Sequence, residues 1–175
     1  MIRKLSMDQL GRMSVEEFKQ TDKSNIVVVL DNVRSMHNVG SVFRSSDAFL
    51  MEEIYLCGYT PQPPHRDIHK TALGATETVA WRYCNNTIDA VHLLKEKGYK
   101  IFAIEQAEGS ISLDKFTFEG KIAIIFGNEV EGVDDIVMQL CDGCIEIPQY
   151  GTKHSLNISV AAGIVLWELT RKKLL

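Results

Sequence analysis

Short, continuous apolar runs alternate with segments of helical periodicity along the chain. Residues 26–30 read Ile-Val-Val-Val-Leu, and a β-branched run of this kind is typical of a strand buried on both faces. Similar runs lie at residues 53–57, 79–83, 100–104, 121–126 and 144–147. Helical patterns fall between and after them, at residues 39–49, 87–97, 132–140 and 157–173. We therefore predict an α/β fold with a mostly parallel sheet and helices on both of its faces.

The domain organisation follows from the distribution of these patterns. Residues 25–175 carry all the strand patterns and are predicted to form one domain, since a chain of this length suits a single core. Residues 1–24 are predicted to be a short helical extension, with helices at residues 7–10 and 14–18. In the second of these helices, Ser14 and Glu17 have the spacing of a capping box.

Two further segments carry local predictions. Residues 60–67 contain three prolines and are predicted to be a mobile surface loop. In the last helical pattern, Val160, Ile164 and Trp167 recur at helical spacing and are predicted to face the core.

Composition excludes several classes of protein. No apolar run approaches the roughly 20 residues of a membrane span, and the N-terminus lacks the apolar core of a signal peptide, so we expect residence in the cytoplasm. The net charge of −4 means that binding to nucleic acid would require a local basic patch. Cys141 and Cys144 form a single C-x-x-C pair without the further ligands of a zinc site, and no metal is expected.

Three polar clusters each follow an apolar run, and the carboxyl ends of parallel strands are where such sheets bind ligands. The first cluster contains Asn38, predicted to cap a helix, Gly40, which permits close backbone approach, and Arg44. The second, residues 126–132, reads Phe-Gly-Asn-Glu-Val-Glu-Gly and places Glu129 between two glycines. In the third, residues 145–163, a polar loop leads to Ser155-Leu-Asn at the start of the last helix. Together they predict a pocket for a small molecule.

Each cluster also has a purely structural interpretation. Asn38, Ser155 and Asn157 suit helix caps, Arg44 suits a surface ion pair, and Glu129 suits a helix N-terminus. Known motifs narrow the choice of ligand and reaction. The chain contains neither the Gly-Lys-Ser/Thr of a phosphate-binding loop, nor a G-x-G-x-x-G dinucleotide fingerprint, nor the G-x-S-x-G of hydrolases.

In their order and spacing, the three clusters resemble the SpoU/TrmH family of the SPOUT superfamily. The matching segments are residues 37–48, 124–132, 147–151 and 155–161, with further similarity at residues 70–75. Members of this family are S-adenosylmethionine-dependent RNA 2′-O-ribose methyltransferases. The resemblance spans residues 24–170 and implies a C-terminal deep trefoil knot, a homodimer and S-adenosyl-L-methionine as cofactor.

The resemblance also implies roles for individual residues. The positions that match the active site of the family are Asn38, Arg44, Glu129, Ser155 and Asn157. The positions that match its cofactor contacts are Gly127, Ile147 and Leu156, with Gln106 as a further candidate. Arg44 matches an essential arginine, which either takes the proton of the ribose hydroxyl or anchors the adjacent phosphate. A free guanidinium has a pKa above about 12 and bidentate geometry, which makes phosphate anchoring the simpler role.

The RNA substrate is less constrained than the reaction. A groove for RNA is predicted to involve Arg34, Arg66, Lys70 and Lys153, with tRNA as the first choice of substrate and rRNA as the second. A catalytically inactive knotted RNA-binding protein and a nucleotide-binding hydrolase are the alternatives. The intact Asn38, Arg44, Glu129 and Asn157 disfavour the inactive protein, and the missing phosphate motif disfavours the hydrolase.

Overall fold

A computed structural model describes residues 2–6 and 8–173, and its centre is a parallel β-sheet. The strands are β1 (Ile26–Asp31), β2 (Glu53–Cys57), β3 (Trp81–Cys84), β4 (Lys100–Ile104), β5 (Ile111–Ser112), β6 (Ile122–Phe126) and β7 (Gly143–Glu146). They form a seven-stranded sheet of order β3-β2-β1-β6-β4-β7-β5, in which the recorded strand pairs are all parallel. The predicted parallel sheet is therefore confirmed.

Helices cover both faces of this sheet. They are α1 (Val15–Gln20), α2 (Met36–Ala48), α3 (Arg66–Ala72), α4 (Ala75–Thr78), α5 (Thr87–Glu96), α6 (Asp135–Leu140) and α7 (Ile158–Lys173). One core contains buried residues of α5 and α6, and the other contains buried residues of α1 to α4 and α7. Strand β1 serves both cores, because Val27 and Val29 face α5 and α6 while Val28 and Leu30 face the opposite layer. No helix in the described part of the chain has the length and apolar character of a membrane span.

The order of the strands reverses at β1, and at that point a buried carboxylate bonds to two other segments of the chain. The chain runs from β1 through β2 to β3 on one side, whereas β6 and β4 lie on the other. Asp31, at the end of β1, is 1% exposed and accepts hydrogen bonds from Thr87 Oγ1 (2.5 Å) and the Asp134 backbone N–H (3.0 Å). It therefore fixes the segments that lead into α5 and α6. A reversal of this kind opens a crevice at the carboxyl ends of the strands.

Helix α2 begins three residues before its predicted start, which changes the role of Asn38. Ser35 is the N-cap, and its Oγ accepts the Asn38 backbone N–H at 3.3 Å. The prediction that Asn38 caps this helix is therefore wrong, and its side chain is available for other contacts. Gly40 has the predicted close approach, because a Cβ there would lie 2.3 Å from the Ile68 carbonyl oxygen of α3.

Several elements differ from the sequence prediction. Helix α6 starts at Asp135 rather than at residue 132, while the short strand β5 and the helices α3 and α4 were not predicted. Helix α3 begins inside the proline-rich segment 60–67. The start of that segment is anchored, because Thr60 is 2% exposed and its Oγ1 donates to the carbonyl groups of Leu30 and Cys57, which lie 3.1 and 2.7 Å away.

The prediction that Val160, Ile164 and Trp167 face the core is wrong. Their exposed fractions are 51%, 39% and 56%. The core side of α7 consists of Ile158, Ala162, Val165, Leu166 and Leu169. Helical spacing alone could not tell the two faces apart, since both carry apolar residues at the same period.

The N-terminal segment contains a 3-10 helix, Asp8–Leu10, and α1. Ser14 and Glu17 form the predicted capping box, with each side chain bonded to the backbone N–H of the other residue. Met7, where the first helix was predicted to start, lies outside the described residues.

Candidate active site

A cleft of about 490 Å³ opens at the carboxyl ends of β4, β6 and β7. This volume lies within the usual range for small-molecule sites. The residues that line it are Ile104, Glu105, Gln106, Phe126, Gly127, Asn128, Glu129, Val130, Glu131, Gly132, Ile147, Gln149, Ser155, Leu156, Asn157, Ile158 and Ala161. The second and third polar clusters of the sequence therefore meet in one pocket, as predicted.

Glu129 joins this pocket to the first cluster. Its two carboxylate oxygens accept the backbone N–H groups of Arg34 (2.9 Å) and Ser35 (3.0 Å). The Asn38 side chain donates a third hydrogen bond to Glu129 at 2.9 Å. Glu129 was expected to suit a helix N-terminus, and the helix it meets is α2, whose Asn38 lies 91 residues earlier in the chain, rather than the following α6.

Asn38 and Asn157 continue this network across the cleft. The Asn157 Nδ2 donates to Asn38 Oδ1 at 3.2 Å, so the Asn38 carboxamide bridges Glu129 and Asn157. Asn38 is 8% exposed, and a buried amide with both ends paired is fixed in orientation. The Asn157 Oδ1 accepts the Ser159 backbone N–H at 2.9 Å, which confirms that Asn157 caps the last helix.

The hydrogen bonds to Glu129 keep it ionised. Partial burial raises its pKa, but donation from Arg34, Asn38 and Ser35 outweighs this effect, and the net result is a pKa below the ordinary value. A carboxylate whose charged form is stabilised in this way is a weak base. Glu129 is therefore suited to orienting its neighbours rather than to removing a proton.

The loop that carries Glu129, residues 127–134, has a rigid local structure. Residues Asn128 and Gly132 exchange two backbone hydrogen bonds of 2.8 and 3.0 Å. The Asn128 Oδ1 accepts the backbone N–H groups of Val130 and Glu131. A Cβ on Gly127 would lie 2.1 Å from the Gly132 carbonyl carbon, so this position requires glycine. The backbone can therefore line the cleft without an intervening side chain.

The opposite wall, residues 148–157, is held by fewer contacts. Residues 150–157 are all exposed. Gln106 Nε2 donates to the His154 carbonyl oxygen at 2.5 Å, which joins the end of β4 to this wall. Gln106, Gly127, Ile147 and Leu156, the predicted cofactor contacts, all line the cleft, but the Gln106 amide also holds the loop.

The remaining predicted residues are exposed, and of these Ser155 lines the cleft. Within residues 2–6 and 8–173 its hydroxyl has no hydrogen-bond partner, so the prediction that Ser155 caps α7 is wrong. Arg44 is exposed on α2, six residues after Asn38. The predicted RNA contacts are likewise exposed, namely Arg34 after β1, Arg66 and Lys70 on α3, and Lys153 in the loop.

Sequence reasoning missed an acidic wall. Glu105 lines the cleft, and its carboxylate accepts the backbone N–H groups of Gln106 (2.8 Å) and Val133 (3.4 Å). Among the described residues, every charged side chain that lines the cleft is acidic: Glu105, Glu129 and Glu131. This lining fits a ligand with positive charge and disfavours a triphosphate. Glu105 could have been found from its position directly after β4.

Comparisons with known proteins agree with this geometry. Residues 25–167 match the model of the SpoU rRNA Methylase family. A tRNA (guanosine(18)-2′-O)-methyltransferase of Thermus thermophilus is 31% identical, over 93% of this chain and 83% of that protein. A 23S rRNA (guanosine-2′-O-)-methyltransferase of Vibrio parahaemolyticus is 30% identical, over 95% of this chain and 67% of that protein.

The similarity includes the fold, as a solved structure with a bound cofactor shows. The AdoMet-bound rRNA methyltransferase from Sinorhizobium meliloti superposes with a TM-score of 0.81 at 27% identity, covering 90% of this chain and 60% of that one. The family model covers more than half of the sequence, and the resemblance seen in the three polar clusters is confirmed. This chain belongs to the SpoU rRNA Methylase family.

Proposed function

We propose that this protein transfers a methyl group from S-adenosyl-L-methionine to a ribose 2′-hydroxyl of RNA. The observation that carries the proposal is the continuous network from Glu129 through Asn38 to Asn157, at the edge of an acidic cleft. Residues 25–175 form the catalytic domain. The reactions named for the two curated relatives, both 2′-O-methylations of RNA, support the assignment.

The cleft fits this cofactor in its charge and in its apolar lining. When bound, S-adenosylmethionine supplies a methyl group carried on a positively charged sulfonium. The acidic side chains of the cleft complement such a charge, and the apolar Ile147 and Leu156 can contact the uncharged parts. The backbone at Gly127 is open to a ligand, because this position carries no side chain.

The residues around the cleft then divide the work of positioning. Arg44, exposed on the same helix as Asn38, anchors the phosphate next to the reacting ribose through its two parallel N–H groups. Asn38, Glu129 and Asn157 hold the start of α2 and the start of α7 in register, and thereby position Arg44 and Ser155. Ser155 lines the cleft, and its hydroxyl is proposed to contact the substrate.

Two contacts support a trefoil knot at the C-terminal end. Gln106 bonds to the backbone of the loop that follows β7. The Lys172 ammonium of α7 donates to the carbonyl groups of Leu113 and Phe116, which lie 2.6 and 2.8 Å away. Both contacts join the chain after β7 to the segment between β4 and β6. We propose that the final loop and helix thread through that segment.

An apolar stripe on α7, formed by Val160, Ile164 and Trp167, supports a homodimer. All three side chains are more than a third exposed, and Trp167 lies 5.8 Å from the Phe49 ring, which widens the stripe. Such stripes on otherwise polar surfaces favour association. Trp167→Glu is expected to give a monomer in analytical ultracentrifugation, whereas Tyr83→Glu, on the edge strand β3, leaves the dimer intact. A wild-type protein that sediments as a monomer at micromolar concentration would contradict the homodimer.

The RNA is proposed to be tRNA first and rRNA second, and the two relatives act on one of each. Arg34, Arg66, Lys70 and Lys153 supply cationic contacts in a chain whose net charge is −4. Residence in the cytoplasm stays a prediction from the sequence.

Binding and transfer measurements test the reaction. Calorimetric titration is expected to detect S-adenosylmethionine binding and no binding of ATP. Incubation with methyl-labelled cofactor and separate tRNA and rRNA fractions should label one fraction, and nuclease mapping then identifies the nucleotide. A protein that binds the cofactor but labels neither fraction supports the inactive RNA-binding alternative. One that binds ATP instead supports the hydrolase.

Arg44→Ala tests the anchoring role. Because Arg44 lies outside the cleft, the variant is expected to bind S-adenosylmethionine normally and to lose methyl transfer by about a hundredfold or more, a loss typical of a misplaced substrate. Arg44→Lys, which keeps the charge but not the bidentate geometry, should recover only part of the rate. Unaltered turnover by Arg44→Ala would contradict the assignment.

A further inference from the structure

We propose that Tyr59 is a stacking platform for an unpaired base of the RNA substrate, beside the nucleotide that is methylated. This inference deepens the proposed function and depends on it. Tyr59 follows β2 directly, at the same sheet edge as the active-site network, and 58% of it is exposed. Single exposed aromatic residues are common on protein surfaces, but this one is held in a fixed position by the contacts described next, which points to a role.

The turn that carries Tyr59 is locked on both sides. Thr60, the next residue, is buried. Its hydroxyl oxygen accepts the Val33 backbone N–H (3.0 Å), and its proton is directed at the Leu30 and Cys57 carbonyls. Gly58, the preceding residue, has a φ of +63°, and a Cβ there would lie 2.0 Å from Asn32 Oδ1. The Asn32 Oδ1 also accepts the Tyr59 backbone N–H at 3.2 Å. The backbone of Tyr59 is therefore fixed to the ends of β1 and β2.

The side chain is anchored to the active-site loop as well. Asn128 Nδ2 donates to the Tyr59 hydroxyl and to the Asn32 carbonyl, both at 2.8 Å. Asn128 precedes Glu129, whose carboxylate holds the Arg34 backbone. The hydroxyl of Tyr59 is thus one residue away from the network that we assign to catalysis, while the ring stays open to solvent.

A purely structural role does not account for the ring. Asn128 is 7% exposed, but its Nδ2 also donates to the Asn32 carbonyl, so its amide keeps a partner without Tyr59, and the Tyr59 ring belongs to neither core. A rigid, exposed aromatic face is instead the arrangement that binds unpaired bases, whose flat faces stack on aromatic side chains. A cation is available nearby in the chain, because the exposed Arg34 lies two residues after Asn32, whose Oδ1 accepts the Tyr59 backbone N–H. Stacking of the base would orient the neighbouring ribose toward the cleft.

Two substitutions of similar size separate stacking from anchoring. Tyr59→Phe removes the hydroxyl and keeps the ring, whereas Tyr59→Leu removes both the hydroxyl and the aromatic face. With the RNA fraction that the wild-type protein methylates, we expect the KM for RNA to rise about fivefold or more in Tyr59→Leu and to stay within about twofold in Tyr59→Phe. The Kd for S-adenosylmethionine should not change in either variant. Tyr83→Leu, at an exposed tyrosine on β3, is the matched control and should leave both constants unchanged.

The outcomes are distinguishable. Equal losses in the Phe and Leu variants would mean that the hydroxyl anchor matters and the stacking does not, and an unchanged KM in Tyr59→Leu would equally overturn the proposal. A monomeric Tyr59→Leu protein in ultracentrifugation would assign the ring to a second copy of the chain instead. As a second measurement, RNAs that carry a single abasic nucleotide at different positions around the methylated one are compared. At one of these positions, loss of the base should raise the KM of the wild type by the same factor as Tyr59→Leu does, and should not raise the KM of Tyr59→Leu any further. If the wild type methylates no RNA, the proposed function itself fails.

Discussion

The two walls of the cleft are built in different ways. Residues 127–134 form a loop whose backbone is bonded to itself and to Asp31 at the end of β1. The side chains of Glu129 and Asn128 join the same loop to α2 and to the segment that leads into it. Residues 148–157 form a largely exposed loop that two side-chain hydrogen bonds hold, from Gln106 to the His154 carbonyl and from Asn157 to Asn38. The first wall is thus preformed, and its shape is part of the folded core. The second wall is attached lightly and is the side on which a ligand can enter and leave.

The clearest way to break this distinction is to place the same methyl group on both walls. Gly127→Ala introduces a Cβ 2.1 Å from the Gly132 backbone, so the preformed wall must shift. We expect S-adenosylmethionine affinity to fall about tenfold or more, since overpacking of this kind typically costs about 1–3 kcal/mol. Gly151→Ala is the matched control, because its Cβ would meet nothing within 4 Å, and isothermal titration should give wild-type affinity. Similar losses in both variants would mean that the walls do not differ in rigidity.

A smaller effect is expected from the charge that ties the preformed wall to α2. The folded-state pKa of Glu129 lies below its ordinary value of 4.5, so its stabilising contribution is fully present above about pH 4.5 and is lost as the pH falls through the folded-state pKa. At pH 7, Glu129→Gln should lower the free energy of unfolding by about 1 kcal/mol. A hydrogen bond to a charged group usually contributes somewhat more than this, but the Glu129 carboxylate is partly exposed, which reduces its contribution. Urea titrations should show the gap between the two proteins narrowing in acid. A gap that is constant with pH would contradict the role of the charge.

The smallest effect is expected on the lightly attached wall. Gln106→Ala removes the bond to the His154 carbonyl, which is worth about 1 kcal/mol or less at an exposed site. Cofactor affinity should fall by less than about fivefold, chiefly through faster dissociation in stopped-flow measurements. His154→Ala is the control, because the acceptor is a backbone carbonyl and survives the substitution. A loss in Gln106→Ala as large as that in Gly127→Ala would show that this wall is not the lightly attached one.

The sequence predicted the parallel sheet and the meeting of the second and third clusters, because both depend on local patterns. Runs of β-branched residues indicate buried strands, and parallel strands bring their carboxyl ends to one edge of the sheet. The predictions that Asn38 caps α2 and that Trp167 is buried were wrong. In both cases the local pattern allowed two outcomes, since Ser35 competes for the cap and α7 is apolar on two faces. Only packing against other elements selects one of them.

The sequence by itself therefore determined the class of fold, the motifs of the family and the type of residue at the cleft. The tertiary structure decided which of those residues touch. Glu129 meets backbone groups at positions 34 and 35, and Asn157 meets Asn38, across separations of 94 or more residues. Tyr59 reaches Asn128 across 69 residues. No local propensity encodes such pairs, because they arise only when the order of the strands in the sheet places distant loops side by side.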